Sequence, residues 1–247
     1  RPPPLEGEGP AILPLLRSFG RERGWTLTSE PKGPRLRSPQ GASITLEPGG
    51  QIEYATRPHE STRALHDDLV AILGAFHERA ADQGLALIAA GIDPDHGIDA
   101  APLLLDTSRY RQMDAYFAAI GDAGARMMRQ TAALQINIDA DDPADAWATL
   151  NAAAPVLVAA FANSARYAGR DTGYASYRAE TWRHVDDART GMLPEGDPAE
   201  VYAAFALRAP AILLPRTLRA LPFVEHRRLG ARAPEWREHL TTLFPEV

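Results

Sequence analysis

Two glutamates flank a Pro-Gly-Gly turn in the stretch Ile44-Thr45-Leu46-Glu47-Pro48-Gly49-Gly50-Gln51-Ile52-Glu53-Tyr54. Ser43 to Glu47 alternates polar and apolar residues, and Gln51 to Tyr54 does the same, which is the period of a half-buried strand. Pro48 presets φ and the glycines accept positive φ, so the stretch predicts a hairpin. Antiparallel pairing puts Ile44, Leu46, Ile52 and Tyr54 on one face and Thr45, Glu47, Gln51 and Glu53 on the other. Two carboxylates this close repel unless a cation sits between them. A cluster of hard oxygen donors suits Mg²⁺ or Mn²⁺. The competing reading is a solvated strand face dressed in charge.

Two further segments concentrate polar chemistry. Thr131-Ala132-Ala133-Leu134-Gln135-Ile136-Asn137-Ile138-Asp139 alternates strictly and predicts a second strand. Its polar face carries Thr131, Gln135, Asn137 and Asp139; Leu134, Ile136 and Ile138 form the other face. Asn163 to Pro194 has few apolar residues and many Gly, Arg and aromatic ones, a composition that suits an active-site segment better than a core element.

Other chemistries are excluded by what the chain lacks. Cysteine is absent, so there is no thiolate ligand, disulfide or Cys nucleophile. That is compatible with a reducing cytoplasm. Lys32 is the only lysine and lies in a Pro-Lys-Gly-Pro loop, which excludes a P-loop. Any phosphate would be held by arginines, backbone amides or a metal. His59-Glu60 and His77-Glu78 begin like a zinc-protease motif, but Arg63 and Ala81 stand where the second histidine would be. The net charge of −6, with no basic block, argues against nucleic acid as a main partner. No run of about 18 apolar residues argues for a membrane span.

The elements that must position these residues follow from periodicity. Ala11 to Arg23 and Ser61 to Gln83 have helical spacing, and Gly84 ends the second. Short strands fill Trp25 to Ala55, and Leu85 to Ile92 reads as a short buried strand. Helices are predicted over Ser108 to Ile120, in Gly121 to Gln130, over Pro143 to Ala162 with Asp142 as N-cap, over Asp197 to Leu207, and over Glu235 to Phe244. Residues 1–10 are Pro- and Gly-rich and read as loose. A length of 247 residues with 45% hydrophobic and 23% charged residues fits a soluble globular domain, and the whole chain is read as one catalytic domain. The expected class is α+β: an antiparallel sheet with a polar concave face and helices covering its other side.

At this point the residues resemble a known family. Leu46-Glu47-Pro48-Gly49-Gly50-Gln51-Ile52-Glu53 is similar to the signature of the glutamate–cysteine ligase type 2 family, the plant and proteobacterial type, with relatives in ergothioneine biosynthesis. Further blocks resemble it in order: Ser108 to Met113, Thr131 to Asp139, Phe161 to Ser164, Arg178 to Trp182 with Asp186 and Arg189 to Pro194, and His239 to Pro245. The resemblance covers about residues 40 to 247. It implies a fold like the glutamine synthetase catalytic domain. It also implies ligation of the γ-carboxylate of L-glutamate to the amine of L-cysteine, with ATP and Mg²⁺, through a γ-glutamyl phosphate.

The resemblance further implies roles. Glu47 and Glu53 match the metal-binding acids. Thr131, Gln135 and Asn137 match a polar strand that meets substrate or metal-bound water, with plain sheet polarity as the other reading. Arg178 would hold a carboxylate, and Trp182 is either substrate contact or wall. Arg189 contacts phosphate or fixes its loop through Asp186. Arg109 and Tyr110 meet ligand or pack a helix start, and Asn163 is either a site residue or a helix C-cap. The family's pattern also includes an acidic Gly-x-Glu-x-Glu strand and a later arginine-bearing strand that these residues do not match. The chain therefore reads as the central portion of the family's domain. The alternatives are a relative that binds glutamate or a partner without catalysis, and a ligase with another amine acceptor.

Overall fold

Leu15, Leu16 and Phe19 recur along one side of helix α1 (Ile12–Arg23). All three are buried in the computed structural model, which describes residues 2–214, 219–228 and 235–245. The architecture is α+β, and the chain divides into two compact units: Arg1–Ala89 with His96–Thr107, and Ala90–Asp95 with Ser108–Val247.

The first unit carries a four-stranded antiparallel meander, β1 (Thr26–Glu30), β2 (Gly33–Arg37), β3 (Ser43–Leu46) and β4 (Ile52–Ala55), in sequence order. Helix α1 lies directly on it: a Cβ on Gly20 would come within 2.7 Å of Leu36 Cδ1, so only glycine lets the helix backbone approach β2 this closely. Phe19 meets Phe76 of helix α2 (Thr62–Asp82) edge to face at 5.0 Å. Ser61 caps α2 by accepting from Ala64 N at 3.2 Å. Gly84, at φ 70°, ends it, as its position after the last apolar repeat predicts.

The second unit is mainly helical. Helices α3 (Ser108–Ala118) and α4 (Ala123–Gln130) pack at Gly124, where a Cβ would fall 2.3 Å from Phe117 Cβ. Helix α5 (Pro143–Phe161) starts at Asp142, whose carboxylate accepts from Ala144 N at 2.9 Å and Asp145 N at 3.2 Å. A two-stranded hairpin, β5 (Arg166–Tyr167) and β6 (Arg170–Asp171), follows. Helices α6 (Tyr177–Arg183), α7 (Asp187–Thr190), α8 (Pro198–Arg208), α9 (Phe223–Arg228) and α10 (Trp236–Leu240) complete it. Leu193, Phe205, Ala206, Ala209 and Leu243 form its core cluster, with Trp147 of α5 packed against it.

Two predicted strands are not strands. Leu85 to Ile92 and Thr131 to Asp139 share a single isolated bridge, Ile92 to Thr131, with Ala132 N donating to Gly91 O at 3.1 Å. Residues 133–140 make no further ladder among the described residues, and they are all exposed, including Leu134, Ile136 and Ile138. The physical reason is that alternation supplies two faces but no partner, and a strand exists only where a neighbour accepts its N–H and C=O groups. The sheet is accordingly smaller than the sequence suggests and does not include the second polar strand.

Helix boundaries agree closely for α1, α2, α5 and α8. Among the described residues, the 3₁₀ turn Ile98–Ala100, helices α6, α7 and α9, and the β5–β6 hairpin were not anticipated. The last predicted helix is shorter, ending at Leu240 rather than Phe244, because Thr241 and Thr242 turn out of the helix. Helix α5 also departs from the sequence expectation. It is long and apolar enough to cross a bilayer by length and composition, and none of the qualifying window is buried. The sequence hides this because polar residues such as Asn151 interrupt the apolar run.

Candidate functional site

The acidic hairpin forms in the predicted register, with Ile44 opposite Tyr54, Thr45 opposite Glu53 and Leu46 opposite Ile52. Glu47 continues the ladder, its N–H donating to Gln51 O at 2.8 Å. Thr45, Glu47, Gln51 and Glu53 therefore share one face, while Ile44 and Leu46 are buried on the other. Thr45 Oγ1 donates to Glu53 Oε2 at 2.9 Å, which steers that carboxylate along the polar face. The turn is pinned. Gly49 N donates to Gln51 Oε1 at 2.9 Å, and Pro48 O accepts from Leu104 N at 2.8 Å and Leu105 N at 3.1 Å. Gly50 has φ 89°, and a Cβ there would meet Leu104 Cδ1 at 2.7 Å, so the position demands glycine twice over.

Carboxylate oxygens are the donor type that Mg²⁺ takes. The ion keeps several waters and is commonly held by one or two carboxylates together with substrate phosphates. Among the described residues no group of three or more His, Cys, Asp or Glu gathers into a complete protein-only cage.

The remaining candidates lie in the second unit, and the structure separates them into three environments. Arg109 and Arg189 hold the adjacent residues Thr241 and Thr242. Arg109 Nε donates to Thr241 Oγ1 at 3.2 Å and its Nη2 donates to Thr241 O at 2.5 Å. Arg189 Nη1 donates to Thr242 O and Thr242 Oγ1, both at 3.0 Å, and its Nη2 donates to Pro210 O. Arg189 Nε forms an ion pair with Asp186 Oδ2 at 3.0 Å. Tyr116 donates to the same Oδ2 at 2.8 Å, and the guanidinium lies 4.9 Å from the Tyr116 ring. Burial, then the hydrogen bond to Asp186, pushes the Tyr116 hydroxyl up to about 12. The ion pair with Asp186 is the contact that the loop-fixing reading of Arg189 names. Tyr110 is buried against Arg109, with the guanidinium 4.9 Å from its ring.

Arg178 and Trp182 form the second environment. They lie one turn apart on α6, with the guanidinium 4.9 Å from the Trp182 ring, and Trp182 stacks on Phe244 at 6.2 Å. The 4.9 Å distance is within the range of a cation–π contact, which braces the Arg178 side chain on the indole. Thr131 is buried and donates to Met127 O at 2.7 Å, back-bonding to the last turn of α4. Gln135 and Asn137 lie on the exposed segment that follows and are not brought to the other candidates by a strand.

The third environment is a cleft of about 370 Å³ beside the Ala162–Arg166 segment. Ala90, Ile92 and Pro94 line one side, and Asn163 and Arg166 contribute polar groups. Asn163 does not cap α5, which ends at Phe161 with Ala162 as its C-cap; its Oδ1 accepts from Gly91 N at 3.1 Å. Sequence reading missed Arg166 and Gly91, and it missed Tyr116, Thr241 and Thr242 as partners of the arginines. The signal for Gly91 was its glycine: a Cβ there would fall 2.8 Å from Asn163 Oδ1.

The fold is α+β, with an acid-bearing hairpin in one unit and arginines lying against aromatic rings in the other, helical one. The sequence profile described as glutamate–cysteine ligase family 2 matches residues 15–247, and the chain belongs to that family. The match reaches back into α1, beyond the motif blocks that begin near residue 40. The chain is 35% identical over 230 residues to the glutamate–cysteine ligase EgtA of Mycolicibacterium smegmatis, covering 85% of this chain and 53% of that protein. It is 36% identical over 234 residues to EgtA of Mycobacterium tuberculosis, with the same 85% and 53% coverage. The chloroplastic glutamate–cysteine ligase of Nicotiana tabacum is 30% identical over 226 residues, covering 83% of this chain and 43% of that protein. The chain thus spans about half the length of these relatives.

Proposed function

We propose that the chain carries the central catalytic residues of an ATP-dependent ligase that joins the γ-carboxylate of L-glutamate to the amine of L-cysteine, giving γ-glutamylcysteine. The observation that carries this reading is the family match over residues 15–247. In this reading residues 1–247 belong to one catalytic domain that works in the cytoplasm.

The reaction has two steps. A γ-carboxylate oxygen of glutamate attacks the γ-phosphorus of ATP and ADP leaves. The cysteine amine then attacks the γ-carbonyl carbon of the acyl phosphate; phosphate leaves, and the amine loses a proton. Glu47 and Glu53 would hold Mg²⁺, which neutralises charge on the triphosphate and the moving phosphoryl group. Arg178, braced on Trp182, is suited to hold the α-carboxylate of glutamate. Thr45 supports this role for Glu53 by fixing its carboxylate. Arg109 and Arg189 contribute by setting the backbone around Thr241 and Thr242, and Tyr110 by supporting the Arg109 guanidinium. Thr131 ends α4, and Gln135 and Asn137 extend from it as hydrogen-bonding groups for the amino-acid substrates.

The test is phosphate release from ATP with Mg²⁺ and L-glutamate, with and without L-cysteine, for this chain and for Glu53→Gln. Cysteine-stimulated release that collapses in Glu53→Gln supports the reading. Folded chain without release sinks the claim that these residues suffice for catalysis and favours a glutamate-binding relative. Turnover with a different amine in place of cysteine moves the reading to another acceptor.

A further inference from the structure

The cleft beside Asn163 is lined by small apolar residues and by the polar side chains of Asn163, Ser164 and Arg166. Ala162, Ala165 and Ala175 contribute short side chains to the lining, and Ile92 and Pro94 contribute larger apolar ones. Its volume of about 370 Å³ sits at the small end of ligand sites. Its walls are held in place before any ligand arrives. Ser164 N donates to Ala175 O at 3.2 Å, Tyr177 N to Ser164 O at 2.9 Å and Arg178 N to Ser164 Oγ at 3.2 Å.

The polar part of the lining has a defined chemistry. Gly91 N donates to Asn163 Oδ1 at 3.1 Å, which fixes that amide's orientation and turns its NH₂ group away from Gly91. Arg166 begins the β5–β6 hairpin, and its Nη2 donates to Gly169 O at 3.3 Å; a guanidinium has five N–H donors, so one long bond leaves most of the fork to meet an anion. The lining includes no acidic side chain. An amide NH₂ and a guanidinium beside an alanine-walled cavity suit a carboxylate joined to a short apolar chain.

We infer that this cleft binds the carboxylate and side chain of a small amino acid, with Arg166 and Asn163 on the carboxylate and the alanines limiting side-chain length. The assignment of that amino acid as the amine acceptor rests on the ligase reading; the cleft itself does not.

The test uses the full chain without nucleotide or metal, which separates it from turnover. Binding of L-2-aminobutyrate, L-2-aminobutyramide and inorganic phosphate is measured by saturation-transfer NMR and calorimetry, with circular dichroism confirming the fold of each variant. The acid is expected to bind about tenfold tighter than the amide, the value of one charge-assisted hydrogen bond. Arg166→Gln should abolish that preference, and Ala162→Leu should remove binding of both. Gly91→Ala should weaken binding, because its Cβ would fall 2.8 Å from Asn163 Oδ1 and 3.2 Å from Ser164 Oγ.

Equal binding of acid and amide, full competition by phosphate, undiminished binding in folded Ala162→Leu, or no binding below about 10 mM would overturn the inference. Turnover that is unchanged in Ala162→Leu overturns the assignment of that amino acid as the amine acceptor and leaves the ligase reading standing. Binding without turnover overturns the ligase reading and leaves the cleft assignment standing.

Discussion

Arg189 and Thr242 are joined twice: Nη1 of the arginine donates to both the carbonyl oxygen and Oγ1 of the threonine, each at 3.0 Å. The link is closed from the other side, where Phe244 N donates to Arg189 O at 2.9 Å. Arg189 is 0% exposed, so a charged side chain sits wholly inside the second unit, matched to Asp186, Thr242 and Pro210.

Removing that guanidinium leaves the Asp186 charge without its ion pair and the Thr242 and Pro210 carbonyls without a donor. Arg189→Ala should destabilise the protein by about 3–5 kcal/mol, the usual result of breaking a buried pair. Arg189→Lys should recover little of it, since an ammonium cannot reach three partners in a fork. Urea unfolding measures both. A loss of activity with unchanged stability would contradict the structural role and favour direct contact with phosphate.

Arg109 makes the parallel link to Thr241, but it is only half-buried. Arg109→Ala should cost about 1–2 kcal/mol, less than the Arg189 variant. Because the two arginines hold neighbouring threonines, the double variant should lose less than the sum of the singles in a double-mutant cycle.

His239 predicts a pH dependence. Its Nε2 donates to Ala206 O at 2.7 Å, and its buried Nδ1 has no partner among the described residues. Burial, with Arg189 and His226 nearby, holds its pKa below the ordinary 6.5. The unfolded chain then binds the proton more readily than the folded one. The stability this group contributes is fully present above about pH 6.5 and is lost as pH falls below it, by at most about 1.4 kcal/mol per pH unit. Unfolding followed between about pH 7.5 and 5 should show that loss, and His239→Gln should flatten it.

Ile44 and Ile136 offer a matched pair. Ile44 is 1% exposed on β3, whereas Ile136 is 66% exposed beyond the Ile92–Thr131 bridge. Ile44→Thr should cost about 2–3 kcal/mol through lost burial and a buried hydroxyl, while Ile136→Thr should stay within about 0.5 kcal/mol. Comparable losses at both positions would mean that residues 131–139 form a covered strand after all.

Ala168 occupies the left-handed region at φ 50° in the β5–β6 turn, followed by Gly169 at φ 75°. Two positive φ values in a two-residue turn match the tight hairpin type that favours Asn-Gly or Gly-Gly. Ala168→Gly should raise stability by about 0.5–1 kcal/mol, measured by thermal melting, through relief of the Cβ clash.

The sequence by itself determined what depends on local chemistry. Alternation around Pro48-Gly49-Gly50 set both the hairpin and its register, because a period of two leaves only one way to bury Ile44 and Leu46. Asp142, Asp197 and Ser61 marked helix starts, because each side chain reaches backbone N–H groups two or three residues on. The family blocks were equally legible, since the match across residues 15–247 depends on residue order alone.

Tertiary structure decided everything that requires a partner from elsewhere in the chain. The same alternation that made β3 a strand left residues 133–140 extended and exposed, because β3 has β2 and β4 beside it. Arg109, Arg178 and Arg189 look alike in sequence as candidate anion binders. One lies on the Trp182 ring, and the other two clamp Thr241 and Thr242, 132 and 53 residues away. An arginine's role is fixed by which acceptors surround its guanidinium, and those acceptors are assembled only when the chain folds.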